Sequence, residues 1–323
     1  MISNVAPVPH PRKHLYSMDK APKKDDFQYH SSTNQKLVRT FDSSVIILGG
    51  FNVPHINYQG KKIYYEVHGE GAALVILNGI MMSTASWSMF LPELIKGNQV
   101  ILLDFLDQGR SDKMSHSYKQ DLQVEVVKAV VDELKLNNIN LLGISYGGEV
   151  ALQFALKYGD FVHKLLVFNT TAWTNPWLDD IGEGWKQVAK TNDGEAFYNV
   201  TIPIVYSPSF YTQNAAGMNA RKELLKDVFN SSFLASMIRL IESAEGYDIR
   251  DELSNIEAKT LVVGSDFDFI TPAPDQLELY KEIPHSTYFE IKNCGHASMY
   301  EKPLEFLSIT KGYLSVETAP KII

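Results

Sequence analysis

Short apolar runs that recur along the chain constrain the fold more than any other feature of this sequence. Five of them lack the polar alternation of a half-exposed strand, as expected of parallel strands covered on both faces. They are AALVILNG, NQVILLDF, NINLLGIS, HKLLVFNT and KTLVVGS. The segments between these runs carry apolar residues at helix-like spacing, most clearly at Leu122, Val126, Val130 and Leu134. The pattern predicts an α/β protein with a doubly wound, mostly parallel sheet, preceded by an antiparallel hairpin that turns at Gln59-Gly60.

One connection is too long for a simple crossover, which indicates an insertion. The fourth run ends near Thr170 and the fifth begins at Lys259, whereas a crossover needs only about a dozen residues. We therefore expect a helical cap over residues 173–256, between strands six and seven, and a core formed by residues 45–172 and 257–323. An insertion after the carboxyl end of a strand should lie over the crevice where open α/β sheets bind ligands.

The insertion is rich in aromatic residues, which admit two interpretations. They either form the ordinary interior of the cap or line an apolar pocket for an acyl group. Two helices are predicted within the insertion, over residues 221–229 and 233–243. The aromatic residues are Trp173, Trp177, Trp185, Phe197, Tyr198, Tyr206, Phe210 and Tyr211.

Composition excludes several classes of protein. A formal net charge of −8 argues against a surface that binds nucleic acid. The single cysteine, Cys294, excludes an internal disulfide and favours a reducing, cytoplasmic location. No run approaches the roughly 18 apolar residues of a membrane span. Residues 1–44 are rich in proline and poor in aliphatic side chains, so we expect a flexible N-terminal arm there. The oligomeric state is left open.

The stretch LLGISYGGEVAL places Ser145 where a predicted strand turns into a predicted helix. In a nucleophile elbow this turn is so tight that the residues two before and two after the serine must be small, and the hydroxyl is held above the sheet. Gly143 and Gly147 meet that requirement. The sequence therefore predicts that Ser145 is a nucleophile.

A serine hydroxyl needs a base, and the base needs an orienting carboxylate. His296 follows the last predicted strand, STYFEIK, and is the candidate base. Asp266 and Asp268 both follow the strand KTLVVGS, and spacing alone does not choose between them. With either acid, the chain order is serine, aspartate, histidine.

Over about residues 51–315 the chain resembles the α/β-hydrolase superfamily. LVILNGIMMSTASW is similar to the loop that usually begins with His-Gly, DFLDQGRSD resembles D-x-x-G-x-G-x-S, and GSDFDFITP resembles the acid loop. The family pattern places the acid three residues before Thr-Pro, which here implies Asp268. Asn78 at the start of the first loop, and Asp107 where D-x-x-G-x-G-x-S has its first glycine, most resemble the subgroup containing the bacterial synthase of 3-(3-hydroxyalkanoyloxy)alkanoate lipids.

The substrate oxyanion needs two hydrogen-bond donors. The Tyr146 N–H, at the start of a helix, is expected to be one, and the resemblance implies the Ile80 N–H as the other. Asn78 either braces its loop or touches substrate. Asp104 is expected to order the loop that follows it. The candidate substrate-binding residues are Asn78, Met81, Trp173 and Trp177.

These residues and the resemblance together imply a serine hydrolase. It should cleave a carboxylic ester or thioester with a medium-length apolar acyl group, through an acyl-enzyme and without a metal or organic cofactor. The expected partner is thus a small-molecule acyl ester or thioester. One alternative is an acyltransferase that forms 3-(3-hydroxyalkanoyloxy)alkanoate lipids from hydroxyacyl thioesters. Another is a non-catalytic ligand receptor or signalling protein on the same fold.

Overall fold

The computed structural model describes residues 54–316. The predicted arm over residues 1–44 lies outside the described residues, as do both ends of the predicted core. Eight strands form one sheet in the described part of the chain. They are β1 (His55–Tyr58), β2 (Lys61–His68), β3 (Ala72–Leu77), β4 (Asn98–Leu103), β5 (Ile139–Ile144), β6 (Val162–Phe168), β7 (Lys259–Ser265) and β8 (Ser286–Ile291).

The strand order is β1-β2-β4-β3-β5-β6-β7-β8. β2 pairs antiparallel with β1 and with β4, and the pairs from β3 to β8 are parallel. Gln59 and Gly60, with φ of 49° and 81°, make the tight turn between β1 and β2. The predicted doubly wound, mostly parallel α/β class with an antiparallel start is confirmed.

Both faces of the sheet are covered, which explains why its strands lack polar alternation. In β3, Val75 and Leu77 belong to one apolar cluster, and Leu74 and Ile76 belong to another on the opposite face. All four side chains are fully buried. The sheet therefore sits between two layers, as parallel strands require.

Eleven α-helices lie within residues 54–316. They are α1 (Leu91–Leu94), α2 (Asp121–Glu133), α3 (Tyr146–Lys157), α4 (Pro176–Ala189), α5 (Gly194–Val205), α6 (Pro208–Gln213), α7 (Ala215–Val228), α8 (Ser231–Ala244), α9 (Ala273–Glu282), α10 (Ser298–Glu301) and α11 (Pro303–Ser315). Short 3-10 helices lie at Thr84–Trp87, Gly159–Phe161 and Arg250–Asn255. Three residues of the predicted stripe, Leu122, Val126 and Val130, lie on α2, and Leu134 follows its last residue. Val126 and Val130 are fully buried.

Five helices, α4 to α8, occupy the connection between β6 and β7. The sequence predicted two of them, and α7 begins at Ala215 rather than at residue 221. Phe197, Phe229 and Phe233 pack against one another with ring centroids 4.8 to 6.3 Å apart, and they form an interior of the insertion itself. The limits 173–256 for the cap domain stay a prediction. In the described part of the chain, no helix combines the length and apolar character that crossing a membrane would need.

Candidate active site

Ser145 lies at the tight turn between β5 and α3, with φ 54° and ψ −124°. Residues with a side chain rarely adopt this backbone conformation. A Cβ added at Gly143 would lie 2.3 Å from the Gly147 carbonyl oxygen, and one added at Gly147 would lie 2.5 Å from the Leu77 carbonyl oxygen. Close backbone packing therefore requires glycine at both positions. The Ser145 N–H donates to the Phe168 carbonyl at 2.9 Å, which anchors the turn to β6.

His296 and Asp268 extend from loops at the same edge of the sheet and meet Ser145. His296 Nε2 lies 2.8 Å from Ser145 Oγ, and His296 Nδ1 lies 2.9 and 3.0 Å from the two Asp268 oxygens. Because a carboxylate only accepts, Nδ1 carries the donated proton and Nε2 is left to accept from the hydroxyl. His296 is 9% exposed and Asp268 is 4% exposed, so water competes little for these contacts.

The Asp268 carboxylate is fixed by further donors. It accepts from the Asn169 side-chain amide at 2.9 Å, and from the backbone N–H groups of Ile270 and Thr271 at 2.9 and 3.0 Å. Asp266, the other candidate acid, instead accepts from the Cys294 N–H at 3.1 Å. The structure thus brings Asp268 to the histidine and uses Asp266 to hold a neighbouring loop.

Asn169 was missed by the sequence reasoning, although a signal was present. It follows β6 directly, at the same edge of the sheet as Ser145 and Asp268. Its amide donates to Asp268, and its oxygen accepts from Ser298 Oγ at 2.6 Å. A polar residue at the carboxyl end of a central parallel strand points to this crevice by topology alone.

The two expected oxyanion donors belong to segments that face Ser145. Tyr146 is the first residue of α3, so its N–H has no acceptor inside the helix. Ile80 lines the same cavity as Ser145 and Tyr146. Gln108 braces the Ile80 segment, because its amide nitrogen donates to the carbonyls of Gly79 and Ile80 at 2.9 and 3.2 Å. Both amides are therefore held on supported backbone beside the serine.

A cavity of about 190 Å³ lies above Ser145 and His296, between the sheet and the insertion. Met81, one of the candidate substrate-binding residues, lines it. The residues of α4 that line the cavity recur at helical spacing and so form one face of the helix. They are Leu178, Ile181, Gly182 and Trp185. Tyr206, Ile202 and Ile241 add further apolar wall from α8 and from the α5 region.

Three other candidate substrate-binding residues lie outside this cavity, which corrects the expectation for them. Asn78 is 1% exposed, and its side chain donates to the Leu103 carbonyl at 2.8 Å and accepts from Trp87 Nε1 at 2.8 Å. It braces its loop. Trp173 packs under the Arg250 guanidinium, 3.8 Å from the ring centroid. Trp177 is 57% exposed, because it lies off the α4 face that turns inward.

Glu149, Arg221 and the Trp185 indole give the cavity polar features that the sequence reasoning did not foresee. Glu149 lies one helical turn after Ser145 on α3, and burial raises the pKa of its carboxyl to about 7. Arg221 comes from α7, more than seventy residues along the chain from Ser145. Helical spacing on α4 could have identified Trp185, whereas no local pattern marks the other two.

Glu301 joins the histidine loop to the insertion. One carboxylate oxygen accepts from the backbone N–H groups of Ser207 and Gly295, at 2.7 and 3.0 Å. The other accepts from Ser207 Oγ at 2.6 Å. Cys294, in the same loop, is fully buried, and burial raises the pKa of its thiol to about 12. The thiol is thus a small packing group.

Asp104 orders the loop after β4, as expected. Its carboxylate accepts from the backbone N–H groups of Thr84 and Arg110, at 2.6 and 2.8 Å. Its carbonyl accepts from Ser111 Oγ at 2.6 Å. Asp104 is fully buried and does not line the cavity above Ser145.

Comparison with known proteins decides the family. A family model described as alpha/beta hydrolase fold matches residues 72–303, more than half of the chain. The chain belongs to the α/β-hydrolase family. This α/β-hydrolase is similar to MGS-M2, an alpha/beta hydrolase enzyme from a Medee basin deep-sea metagenome library. The two share 43% identity and a TM-score of 0.82, over 84% of this chain and 100% of MGS-M2.

Two further relatives are more distant. The 2-hydroxy-6-oxononadienedioate/2-hydroxy-6-oxononatrienedioate hydrolase 1 of Pseudomonas putida is 28% identical, over 79% of this chain and 92% of that protein. Est816, described as an N-acyl homoserine lactone degrading enzyme, is 26% identical with a TM-score of 0.68, over 80% of this chain and 100% of Est816. The α/β-hydrolase described here is thus an enzyme, which sets aside the alternative of a non-catalytic receptor.

Proposed function

We propose that this α/β-hydrolase is a serine hydrolase that cleaves carboxylic esters or thioesters. The observation that carries the proposal is the unbroken hydrogen-bonded line from Ser145 Oγ through His296 to the Asp268 carboxylate, with contacts of 2.8 and 2.9 Å. A nucleophile, a base and an orienting acid in this arrangement are what acyl transfer to serine requires. The strained backbone at Ser145 supports the proposal, because it holds the serine in the lining of the cavity.

In the proposed reaction, Ser145 Oγ attacks the substrate carbonyl while its proton passes to His296 Nε2. Asp268 holds the imidazole in the required tautomer and stabilises the imidazolium that forms. The histidine then gives the proton to the leaving alcohol or thiol, and an acyl-enzyme remains. Water, activated by the same histidine, attacks the acyl carbonyl and releases the acid.

The Ile80 and Tyr146 N–H groups are the proposed oxyanion donors. Each such donor contributes about 3 kcal/mol to the stability of the tetrahedral intermediate. The position of Tyr146 at the start of α3 adds the favourable field of the helix dipole. The Gln108 contacts to the Ile80 segment support this role, because they fix the loop before the substrate arrives.

The cavity walls support an acyl chain of medium length. Met81, Ile202 and the inner face of α4 are apolar, and each buried methylene contributes about 0.8 kcal/mol. We therefore expect kcat/KM for 4-nitrophenyl esters to rise from acetyl to about octanoyl by at least tenfold. Fastest turnover of the acetyl ester would contradict an apolar acyl site. The formation of a dimeric ester from 3-hydroxyacyl thioesters would favour the acyltransferase alternative.

The central test is labelling by a fluorophosphonate probe, combined with hydrolysis of 4-nitrophenyl esters. We expect the probe to label Ser145 alone, and Ser145→Ala to lower kcat/KM by at least about a thousandfold without unfolding the protein. Ser86 offers a matched control, because it lines the same cavity and its hydroxyl accepts from the Ser83 N–H at 3.2 Å. Ser86→Ala should keep its activity within about threefold. Labelling of another serine, or an active Ser145→Ala variant, would overturn the mechanism.

A further inference from the structure

Two buried hydrogen-bond donors in the cavity have no acceptor in the described part of the chain. They are Nε of Arg221 and Nε1 of Trp185, and both side chains line the cavity above Ser145. Buried donors in folded proteins are nearly always satisfied, because each unsatisfied one costs free energy. Two of them on the walls of one cavity indicate that the ligand supplies the acceptor.

The guanidinium of Arg221 lies between aromatic rings. Its central carbon lies 5.2 Å from the Tyr300 ring centroid and 5.9 Å from the Tyr206 ring centroid. No ion pair forms with this guanidinium within residues 54–316. The next residue, Lys222, does pair with a carboxylate, at 2.8 Å from Glu195. The cation that faces the cavity is thus the one left without a counter-ion.

Four carboxylates also line the cavity, and three of them have partners other than Arg221. Glu183 and Glu245 both pair with Lys186, which neutralises part of their charge. Asp179 is exposed at the rim. Glu149 accepts from the Gln120 side-chain amide at 2.7 Å. None of these four acids is a partner of the arginine.

We propose that Arg221 binds a carboxylate at the far end of the substrate's acyl chain, with Trp185 Nε1 as a second donor. The inference rests on the serine hydrolase function proposed above and names its substrate class, the esters of dicarboxylic acids with one free carboxylate. A guanidinium binds a carboxylate through two parallel hydrogen bonds, which makes such a contact strong and directional. The apolar side chains that line the same cavity would contact the methylenes that join the two carboxyl groups.

The test compares pairs of 4-nitrophenyl esters made from succinic, glutaric, adipic and suberic acid. In each pair the distal carboxyl is either free or blocked as a methyl ester, and release of 4-nitrophenolate is followed after subtraction of the spontaneous rate. For the chain length that fits best, we expect the wild type to prefer the free acid by at least about tenfold in kcat/KM. Arg221→Gln should lower kcat/KM for the free acids far more than for the blocked esters, so that the ratio of the two falls to within about twofold of one.

Lys222→Gln is the matched control, because it removes the same charge from the same helix but outside the cavity. It should keep the wild-type preference. Trp185→Phe should reduce the preference by a smaller factor than Arg221→Gln. Equal turnover of free and blocked esters by the wild type would overturn the inference, as would an Arg221→Gln variant that loses both activities in parallel. If no ester is hydrolysed and the fluorophosphonate probe leaves Ser145 unlabelled, the proposed function itself fails.

Discussion

Glu149→Gln should change how the stability of this α/β-hydrolase depends on pH. Glu149 lies on α3, is 4% exposed and lines the cavity above Ser145. Burial raises the pKa of its carboxyl from an ordinary value of 4.5 to about 7, against the opposing effects of the Gln120 hydrogen bond and the positive charge of His296. Glutamine has the shape of the protonated acid, and its oxygen can still accept from Gln120.

The sign and size of the effect follow from linkage. Because the pKa is raised in the folded state, the stabilisation due to the protonated Glu149 is fully present below about pH 4.5. It is lost as the pH rises through 7. Each pKa unit corresponds to about 1.4 kcal/mol, so the full change is roughly 3 kcal/mol. For a protein of this size, that corresponds to roughly 5 °C in the melting temperature.

The assay is differential scanning calorimetry of wild type and Glu149→Gln at pH 5 and pH 8.5. The melting temperature of the variant relative to wild type should rise by roughly 5 °C between the two pH values. Glu125→Gln is the contrasting control. At Glu125, burial, which raises the pKa, is outweighed by hydrogen bonds from Lys157 and Tyr158, so the pKa is lowered. That variant should be less stable than wild type by about the same amount at pH 5 and pH 8.5, because a lowered pKa confines the change in stability to below about pH 4.5. If the difference in melting temperature between Glu149→Gln and wild type is the same at both pH values, the reasoning is refuted.

Two further pairs of variants test the acid and the turn. Asp268→Asn should lower kcat/KM by at least about a thousandfold and Asp266→Asn by less than tenfold, because only Asp268 contacts the histidine; a steady-state assay that reverses this order would reassign the acid. Gly143→Ala should prevent accumulation of folded protein, because its Cβ would lie 2.3 Å from the Gly147 carbonyl oxygen. Gly159→Ala, where a Cβ meets nothing within 4 Å, should express and melt like wild type. A well-folded Gly143→Ala variant would contradict the backbone packing at the elbow.

The sequence predicted the sheet and the line of Ser145, His296 and Asp268 because both depend on local patterns. A strand buried on both faces is continuously apolar, and chain order at the carboxyl edge of a parallel sheet determines which loops meet. The choice between Asp266 and Asp268 was different. Two positions on one loop differ only in where their side chains point, and the family motif, not spacing, favoured the one that contacts the histidine.

The insertion was predicted less completely, although the sequence marks where several of its helices begin. Its α4, α5 and α6 begin after Asn175, Asp193 and Ser207, whose side chains accept from backbone N–H groups of the first turn. Such caps are visible in a sequence, and proline follows two of them directly. Aromatic content alone does not show which side of a helix faces the cavity. Trp177, a candidate substrate-binding residue, lies off the inner face of α4, whereas Trp185 lies on it.

Asp107 shows why a departure from a family motif needs the whole structure for its explanation. It keeps a φ of 70° at a position where the motif has glycine, and that conformation costs a side-chain-bearing residue about 1 kcal/mol or more. Its carboxylate accepts from Arg239 Nε at 3.1 Å and from Ser236 Oγ at 3.2 Å, both on α8 of the insertion. The adjacent Gln108 holds the carbonyls of the Ile80 segment. Asp107 and Gln108 thus connect the insertion to the loop of a proposed oxyanion donor. Because Arg239 lies 132 positions after Asp107 in the chain, the local sequence reveals only a missing glycine.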